Sequence, residues 1–252
     1  MTTKIVGITG VKGGIGQALA LEFARANYQV VGLDLSPEPL AGIEYFQLDV
    51  TDDQAAIATY QKIRERFPEL SIWVNNAGIA ALGPFLEVPA EKFSSVMAVN
   101  FNAVVTATRF WLKVFEQTGG TVVNMASAAG LIPNGDMSSY VASKHAVVGF
   151  TRAVQMELDF KRSLAATTLV TPGFVQTDIM QVGSEYGLPK ELQRFATTPS
   201  ECAKEIVHGV LKGEREIVPT ISGKVMTGLY RFLPFGQALA GQVYRQSRQM
   251  KK

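Results

Sequence analysis

A tyrosine and a lysine four positions apart, Tyr140 and Lys144, could carry acid–base chemistry in this sequence. On a helix, residues at this spacing lie on one face with their Cβ atoms about 5–6 Å apart. A free tyrosine has a pKa of about 10, which must fall by about 2–3 before the side chain exchanges protons near neutral pH. A lysine ammonium fixed beside it in a partly desolvated cleft favours the phenolate. The alternative is an ordinary polar helix face, because this spacing is common by chance.

Two further polar residues, Ser127 and Asn100, could belong to the same site. Ser127 ends an apolar run that reads as a buried strand, and ligands of open α/β sheets bind at the carboxyl ends of strands. A serine hydroxyl there can hydrogen-bond a carbonyl oxygen and stabilise developing alkoxide charge. Asn100 lies in the preceding predicted helix and could anchor a water molecule leading to Lys144. Alternatively, it is a buried asparagine bonded to backbone.

A glycine-rich turn, "TGVKGGIG" (Thr9–Gly16), follows the first predicted strand and opens the first predicted helix. Glycine lacks a Cβ and adopts positive φ, so backbone at Gly10, Gly14 and Gly16 can approach a pyrophosphate closely. The helix N-terminus presents free N–H groups and the positive end of its dipole to that anion. A tight turn that binds nothing is the alternative.

An aspartate at the end of the second predicted strand, Asp34, favours one dinucleotide over the other. Its carboxylate can accept hydrogen bonds from a ribose 2′-OH and would repel a 2′-phosphate, which favours NAD over NADP. Lys12, inside the glycine-rich turn, could instead approach a phosphate. We give Asp34 more weight, because its carboxylate would repel a 2′-phosphate wherever the Lys12 side chain points. Asp34 could also merely cap the following turn.

Two more strand ends carry candidate cofactor contacts. In "LDVTD" (48–52), Asp49 could meet the adenine edge, while Thr51 or Asp52 could cap a helix. In "NNAG" (75–78), the amides beside Ala77 and Gly78 could hold backbone next to the cofactor, or form a simple turn.

Alternating strands and helices must position these residues. Near-continuous apolar runs at 4–9, 29–33, 72–76, 121–126 and 166–171 predict buried parallel strands, with weaker candidates at 44–48 and 216–219. Helical spacing marks Ile15, Leu19, Phe23 and Ala26, and long helices are predicted over 96–115 and 139–160. Another helix begins in 197–211 at capping residues and a proline. The short segment 34–44 leaves room only for a turn. The pattern predicts an α/β fold in a single domain, residues 1–252.

In this order and spacing, the motifs resemble the short-chain dehydrogenase/reductase family across essentially the whole chain. The matched residues are "TGVKGGIG", Asp34, Asp49, "NNAG", Asn100, Ser127, Tyr140 with Lys144, and "PGFVQT" (172–177). The resemblance implies a Rossmann-type, doubly wound parallel sheet of about seven strands with helices on both faces.

The resemblance also implies roles for these residues. Ser127 would orient the substrate oxygen, Tyr140 would exchange its proton, Lys144 would lower the tyrosine pKa, and Asn100 would support a water relay. "PGFVQT" would close over the nicotinamide, with the Val175 backbone on its carboxamide. The expected cofactor contacts are Gly10, Lys12, Gly14, Ile15, Gly16, Asp34, Leu35, Asp49, Val50, Asn76, Ala77, Gly78, Tyr140, Lys144, Pro172, Gly173, Val175 and Thr177.

The expected function is hydride transfer between NAD(H) and a secondary alcohol or ketone, with a lipophilic substrate favoured. An alternative is an NADPH-dependent reductase of 3-oxoacyl-carrier substrates, which has the same four catalytic residues but is disfavoured by Asp34. A non-catalytic dinucleotide-binding regulator is the other alternative, although a sensor does not need a proton relay.

Composition constrains the setting of this chemistry. The 252 residues carry a net charge of +2, which does not predict a nucleic-acid partner, and the single Cys202 fits a reducing compartment. No apolar run approaches the roughly 20 residues of a membrane span, and no secretory signal is evident, so a cytoplasmic location is expected. His145 and His208 lack ligand-like spacing, so no metal is predicted. The family's usual pairing of helices 96–115 and 139–160 implies a homodimer or homotetramer.

Two C-terminal segments remain. Residues 178–198 fit a substrate lid by position and composition. Residues 220–252 form a basic amphipathic segment, since six basic and no acidic residues follow Glu216. That segment could contact an anionic membrane surface, or instead cover the pocket or form a subunit contact.

Overall fold

Seven parallel strands form one sheet in the order β3-β2-β1-β4-β5-β6-β7. The computed structural model describes residues 4–177, 180 and 196–232. The strands are β1 (Lys4–Thr9), β2 (Tyr28–Asp34), β3 (Glu44–Gln47), β4 (Leu70–Asn75), β5 (Gly120–Met125), β6 (Ala165–Val170) and β7 (Glu216–Ile217). Both weaker strand candidates are present as the two edge strands, and no helix separates β2 from β3.

Helices cover both faces of the sheet. They are α1 (Gly14–Arg25), α2 (Asp53–Arg66), α3 (Ala90–Met97), α4 (Ala103–Thr118), α5 (Ser138–Lys161), α6 (Pro199–Leu211) and α7 (Ile221–Phe232). Side chains alternate along β1, so Val6 and Ile8 pack with α1 and α6, whereas Ile5 packs with α2, α4 and α5. The predicted doubly wound, single-domain α/β architecture is confirmed.

One predicted helix is interrupted. The stretch expected to be continuous over 96–115 consists of α3, a π-helical turn over Ala98–Asn102, and α4. Asn100 sits inside that turn and is fully buried. Such turns disturb the regular backbone ladder and occur often at functional sites.

A buried polar network ties the central strands to the helices behind them. The Asn75 amide donates to Asn124 Oδ1 at 2.8 Å, and the Asn124 amide donates to Thr151 Oγ1 on α5 at 3.0 Å. Thr108 on α4 also donates to Asn124 Oδ1, at 3.2 Å. These bonds fix β4 and β5 relative to α4 and α5, and α5 carries Tyr140 and Lys144.

Helix α6 begins as predicted. Thr198 is its N-cap and forms a capping box with Glu201, with Pro199 at the start of the helix. The predicted lid, 178–198, lies almost wholly outside the described residues, which include only residue 180 and residues 196–198 of it. The basic C-terminal segment is described to Phe232, the end of α7.

Candidate active site

The glycine-rich turn after β1 is packed too tightly for a side chain at Gly10 or Gly16, whereas a Cβ at Gly14 would make an ordinary 3.5 Å contact. Gly10 has φ of 63°, and a Cβ there would lie 2.7 Å from Ala77 Cα. A Cβ on Gly16 would lie 2.1 Å from the Gly10 carbonyl oxygen. The N-cap of helix α1 is Gly13, which has no side chain to act as a cap, so no capping side chain bonds the first N–H groups of the helix. Both observations fit a cradle for a pyrophosphate.

Replacing Gly16 with alanine should weaken NADH binding at least ~100-fold, or about 2.7 kcal/mol, because the added methyl group forces backbone apart within the turn. Fluorescence titration of bound NADH measures the effect. Gly149→Ala is the matched control, since a Cβ there meets nothing within 4 Å and binding should not change. An unaltered NADH affinity in Gly16→Ala would show that the turn does not hold the dinucleotide.

The segment after β4 supports this turn. Asn76 donates from its side chain to the carbonyl oxygens of Thr9 and Gly10, both at 3.0 Å. The Thr9 hydroxyl oxygen accepts the backbone N–H groups of Asn76 at 3.0 Å and Ala77 at 3.1 Å. Thr9, whose role has no signal in the sequence, therefore joins β1 to "NNAG".

Asp34 and Lys12 lie together at the end of β2. The Lys12 backbone N–H donates to Asp34 Oδ2 at 3.0 Å, and the Ser36 N–H donates to Asp34 Oδ1 at 3.3 Å. The Lys12 ammonium turns to Ser36 Oγ at 2.7 Å and to the Glu38 carboxylate at 3.4 Å. Ser36 and Glu38 have no signal in the sequence, because their connection to Lys12 spans more than twenty positions. Leu35 is 65% exposed.

Asp49 and Val50 follow β3. Asp49 Oδ1 accepts the N–H and hydroxyl of Thr51 at 2.9 and 2.7 Å, so this carboxylate shapes its own turn. Of the two capping candidates, Asp52 is the N-cap of α2. Val50, Thr9 and Ala77 line one small pocket.

Tyr140 and Lys144 lie one turn apart on α5, both buried. The side chain of Ser127, at the end of β5, hydrogen-bonds with the Tyr140 side chain. The Lys144 ammonium lies 5.7 Å from the centre of the Tyr140 ring and donates to the Met125 carbonyl oxygen at 2.8 Å. The structure thus places the serine, tyrosine and lysine side chains together where β5 meets α5.

The expected lowering of the Tyr140 pKa is wrong for the protein without a bound cofactor. Burial raises the pKa of Tyr140, and the hydrogen bond with Ser127 offsets only part of that rise. Burial also lowers the pKa of Lys144 to about 8, because the ammonium is itself desolvated. The lysine donates to a carbonyl group rather than to the phenol, and burial of the phenol is the main influence on its pKa.

Asn100 reaches the site from the π-helical turn. Its amide accepts from the Ile79 N–H and donates to the Ile79 carbonyl oxygen, both at 2.9 Å. The same Nδ2 donates to Ser143 Oγ at 3.0 Å, and Ser143 donates to the Tyr140 carbonyl oxygen at 2.8 Å. A Cβ on Gly78 would lie 3.4 Å from Asn100 Oδ1 and 3.7 Å from Lys144 Nζ. Gly78 therefore lies between the asparagine and the lysine.

The "PGFVQT" segment follows β6 along the same edge. The Ala128 N–H donates to the Pro172 carbonyl oxygen at 2.7 Å, which holds the segment beside Ser127. The backbone of Thr197 pairs with this segment: its N–H donates to the Phe174 carbonyl oxygen, and its carbonyl oxygen accepts the Gln176 N–H. The Val175 N–H takes no part in these two bonds. The Thr177 hydroxyl donates to the Val175 carbonyl oxygen at 3.3 Å.

The start of α7 also binds this segment. Thr220 Oγ1 accepts the Gly173 N–H at 2.8 Å, and Ser222 Oγ accepts the Phe174 N–H at 3.1 Å. Nothing in the sequence singled out Thr220 or Ser222, because their partners lie more than forty positions away. In the described ranges 4–177 and 196–232, no group of three or more His, Cys, Asp or Glu side chains could hold a metal ion. None of the helices in those ranges is long and apolar enough to cross a membrane.

Curated relatives resemble this chain over most of its length. SadH of Mycobacterium tuberculosis is 30% identical over 251 residues, which cover 91% of each chain. EphD of the same organism is 35% identical over 189 residues, 70% of this chain, and the chain spans about a third of the EphD length (32%). The human 15-hydroxyprostaglandin dehydrogenase [NAD(+)] is 29% identical over 197 residues, 71% of this chain and 70% of that protein.

Solved structures share the fold. A short-chain dehydrogenase/reductase from Burkholderia phymatum in complex with NAD superposes with a TM-score of 0.80 at 24% identity, covering 91% of this chain and 93% of that one. ElxO with NADP bound superposes with a TM-score of 0.76 at 26% identity, covering 86% and 95%.

The family comparison agrees with the geometry of the site. The model described as short chain dehydrogenase matches residues 4–186, which include the glycine-rich turn, Asn100, Ser127, Tyr140, Lys144 and "PGFVQT". The chain therefore belongs to the short-chain dehydrogenase family of oxidoreductases.

Proposed function

We propose that this protein interconverts a secondary alcohol and a ketone with NAD(H) as the hydride carrier. The observation that carries the proposal is the hydrogen bond between the half-buried Ser127 side chain and the buried Tyr140 side chain, with the Lys144 ammonium 5.7 Å from the centre of the Tyr140 ring. A proton-exchanging phenol, a hydroxyl donor and a cation thus lie where the carboxyl ends of the strands meet.

The proton of the reaction is handled by Tyr140. In the oxidation direction, ionised Tyr140 accepts the hydroxyl proton of the alcohol as the carbonyl forms, and in reduction it returns that proton. Ser127 donates a hydrogen bond to the substrate oxygen and stabilises its developing charge. NAD bound at the glycine-rich turn would accept the hydride. The protein's contribution is position and electrostatics.

Lys144 and Asn100 support this exchange. The Lys144 ammonium stabilises ionised Tyr140, and its bond to the Met125 carbonyl oxygen fixes it beside the ring. Asn100 holds Ile79 and, through Ser143, the backbone of Tyr140 itself. A water relay from Asn100 to Lys144 remains our expectation from the family resemblance, supported by the approach of both side chains to Gly78.

Preference for NAD is supported by Asp34. Its carboxylate lies at the end of β2, held by the N–H groups of Lys12 and Ser36, where it can accept from a ribose 2′-OH. The human relative is named as an NAD(+) dehydrogenase, whereas ElxO is bound to NADP. We infer the NAD preference from the charge at this position.

A lipophilic hydroxyl compound is the substrate class that we favour. The human relative at 29% identity acts, by its name, on a hydroxyprostaglandin, which is an oxygenated lipid. Chain-like or ring-shaped secondary alcohols are therefore the first compounds to test.

Initial rates with a panel of secondary alcohols and ketones of increasing chain length, followed by NADH absorbance, test this function. We expect turnover with the longer members and kcat/KM at least about tenfold higher with NADH than with NADPH, a difference of ~1.4 kcal/mol. Faster turnover with NADPH on 3-oxoacyl substrates would favour the reductase alternative. Dinucleotide binding without turnover of any compound would favour the regulator.

The cellular setting is part of the same proposal. We infer a cytoplasmic enzyme because its single cysteine is buried on α6 and free, as suits a reducing compartment. We also infer a homodimer or homotetramer through the helices of 96–115 and 139–160. On the second of these, α5, Met156 and Phe160 are 72% and 92% exposed, which supports the inference.

A further inference from the structure

Two side-chain donors and two carboxylates meet beside the end of β2, in a cluster formed by Lys12, Asp34, Ser36 and Glu38. The Lys12 ammonium donates to Ser36 Oγ at 2.7 Å, to the Glu38 carbonyl oxygen at 3.1 Å and to Glu38 Oε2 at 3.4 Å. The Ser36 hydroxyl donates to the same Glu38 carboxylate oxygen. Glu38 Oε2 thus takes up both the ammonium and the hydroxyl.

The two groups that bond to Glu38 Oε2 are the donors that a bound anion would need. A phosphate beside Asp34 would need a cation and a hydroxyl donor. In this cluster those groups are the Lys12 ammonium and the Ser36 hydroxyl. Both already bond to a carboxylate of the chain itself. The Lys12 side chain is 28% exposed, whereas that of Glu38 is 74% exposed, so the lysine is the more buried partner of this ion pair.

We propose that Glu38 is a specificity-determining residue that excludes a ribose 2′-phosphate by occupying its donors, Lys12 and Ser36. This inference rests on the proposed function, because it explains how a turn that contains a lysine can still prefer NAD. Asp34 would bind the 2′-OH, and Glu38 would hold the lysine away from any phosphate in its place.

The local charge supports this role. With Lys12 as the cation, Asp34 and Glu38 leave the cluster with an excess negative charge, which disfavours a further anion. Both carboxylates also act on Tyr45, whose hydroxyl donates to the Ser36 carbonyl oxygen: burial is the main cause of its raised pKa, and the charges of Asp34 and Glu38 add to it. The hydrogen bond from Ser36, a backbone hydrogen bond and Lys12 lower the pKa of Glu38, so it is ionised at neutral pH.

Glu38→Ala tests the proposal without any turnover. Calorimetric titration with 5′-AMP and with adenosine 2′,5′-bisphosphate isolates the adenosine end of the site. We expect the variant to bind the bisphosphate about tenfold more tightly than the wild-type protein, because one negative charge is removed and one ammonium released. Binding of 5′-AMP should change less than about twofold.

Glu44→Ala is the charge-matched control. Glu44 begins β3 and pairs with Arg66 at 2.8 Å, so its replacement changes the net charge equally but leaves Lys12 in place. A double variant, Lys12→Ala with Glu38→Ala, removes the cation that the single replacement releases. Adding Glu38→Ala to Lys12→Ala should tighten bisphosphate binding by less than about threefold, because only the repulsion is then relieved.

Three results would overturn the inference: equal gains in bisphosphate affinity in Glu38→Ala and Glu44→Ala, an unchanged bisphosphate affinity in Glu38→Ala, or a gain in 5′-AMP affinity in that variant equal to its gain in bisphosphate affinity. The proposed NAD preference fails by a different result, namely wild-type protein that already binds the bisphosphate more tightly than 5′-AMP. The gain in bisphosphate affinity of Glu38→Ala is measured relative to the wild-type protein. The role of Glu38 is therefore tested whether or not the wild-type protein prefers NAD.

Discussion

Tyr140→Phe should lower kcat about 10²–10⁴-fold, the contribution expected of a positioned acid–base group, while leaving NADH binding within about twofold of wild type. The replacement removes one hydroxyl and keeps the ring that packs beside Lys144. Without that hydroxyl, the substrate proton has no acceptor next to Ser127. Steady-state rates and a fluorescence titration of NADH, measured on the same preparation, separate turnover from binding.

Tyr28→Phe is the matched control for this loss. Tyr28 begins β2, at the opposite end of the strand from Asp34, so its hydroxyl lies away from the site. The control should retain wild-type turnover. Circular dichroism should show both variants folded, because the Tyr140 hydroxyl contributes only about 1 kcal/mol as a hydrogen-bond partner. If Tyr140→Phe turns over at the wild-type rate, another group carries the proton and the proposed function is wrong in its mechanism.

The elements of this fold were predictable because burial leaves a direct pattern in the sequence. Strands covered by helices on both faces read as apolar runs, and the central strands were located to within two residues of their observed bounds. The break at Ala98–Asn102 was not predictable in the same way. It coincides with the bonds from Asn100 to Ile79 and Ser143, which lie 21 and 43 positions away.

Residue types and spacing were also enough to locate Ser127, Tyr140 and Lys144 as candidates, but not to predict their electrostatics. The sequence shows that a lysine lies one turn from a tyrosine, and it predicts that the lysine ammonium stabilises the ionised phenol. The direction of the pKa changes depends on how deeply Tyr140 and Lys144 are buried, and the Lys144 ammonium is held by the Met125 carbonyl oxygen. Both the burial and this bond depend on how β5 packs on α5. The Lys12–Glu38 contact was hidden for the same reason, since it depends on the path of the chain after β2.

Lys144→Met should remove most of the turnover, by about 10²–10³-fold, because the charge that stabilises ionised Tyr140 is lost. Methionine approximates the length of the lysine stem without its charge. The loss should exceed any effect of Lys62→Met, which removes an exposed lysine from α2. A rate within about twofold of wild type would show that the ammonium is not needed.

The same replacement should change how stability depends on pH. Burial lowers the pKa of Lys144 from 10.5 to about 8 in the folded protein. Between these values the unfolded chain holds a proton that the folded protein has released, so wild-type stability should rise as pH increases through this window. Below about pH 8 both states are protonated, and the cost of burying the ammonium is fully present. At pH 10.5 and above that cost vanishes.

Urea unfolding of the cofactor-free protein at pH 7.5 and 9.5 measures this contribution. Lys144 should add about 2 kcal/mol to the free energy of unfolding between these pH values, which Lys144→Met should lack and Lys62→Met should keep. If Lys144→Met retains the full rise, the ammonium is solvated in the folded protein and cannot act as a fixed charge beside Tyr140. If the rise disappears together with turnover, a single buried cation accounts for both, and the enzyme accepts reduced stability at neutral pH in order to hold that charge next to its tyrosine.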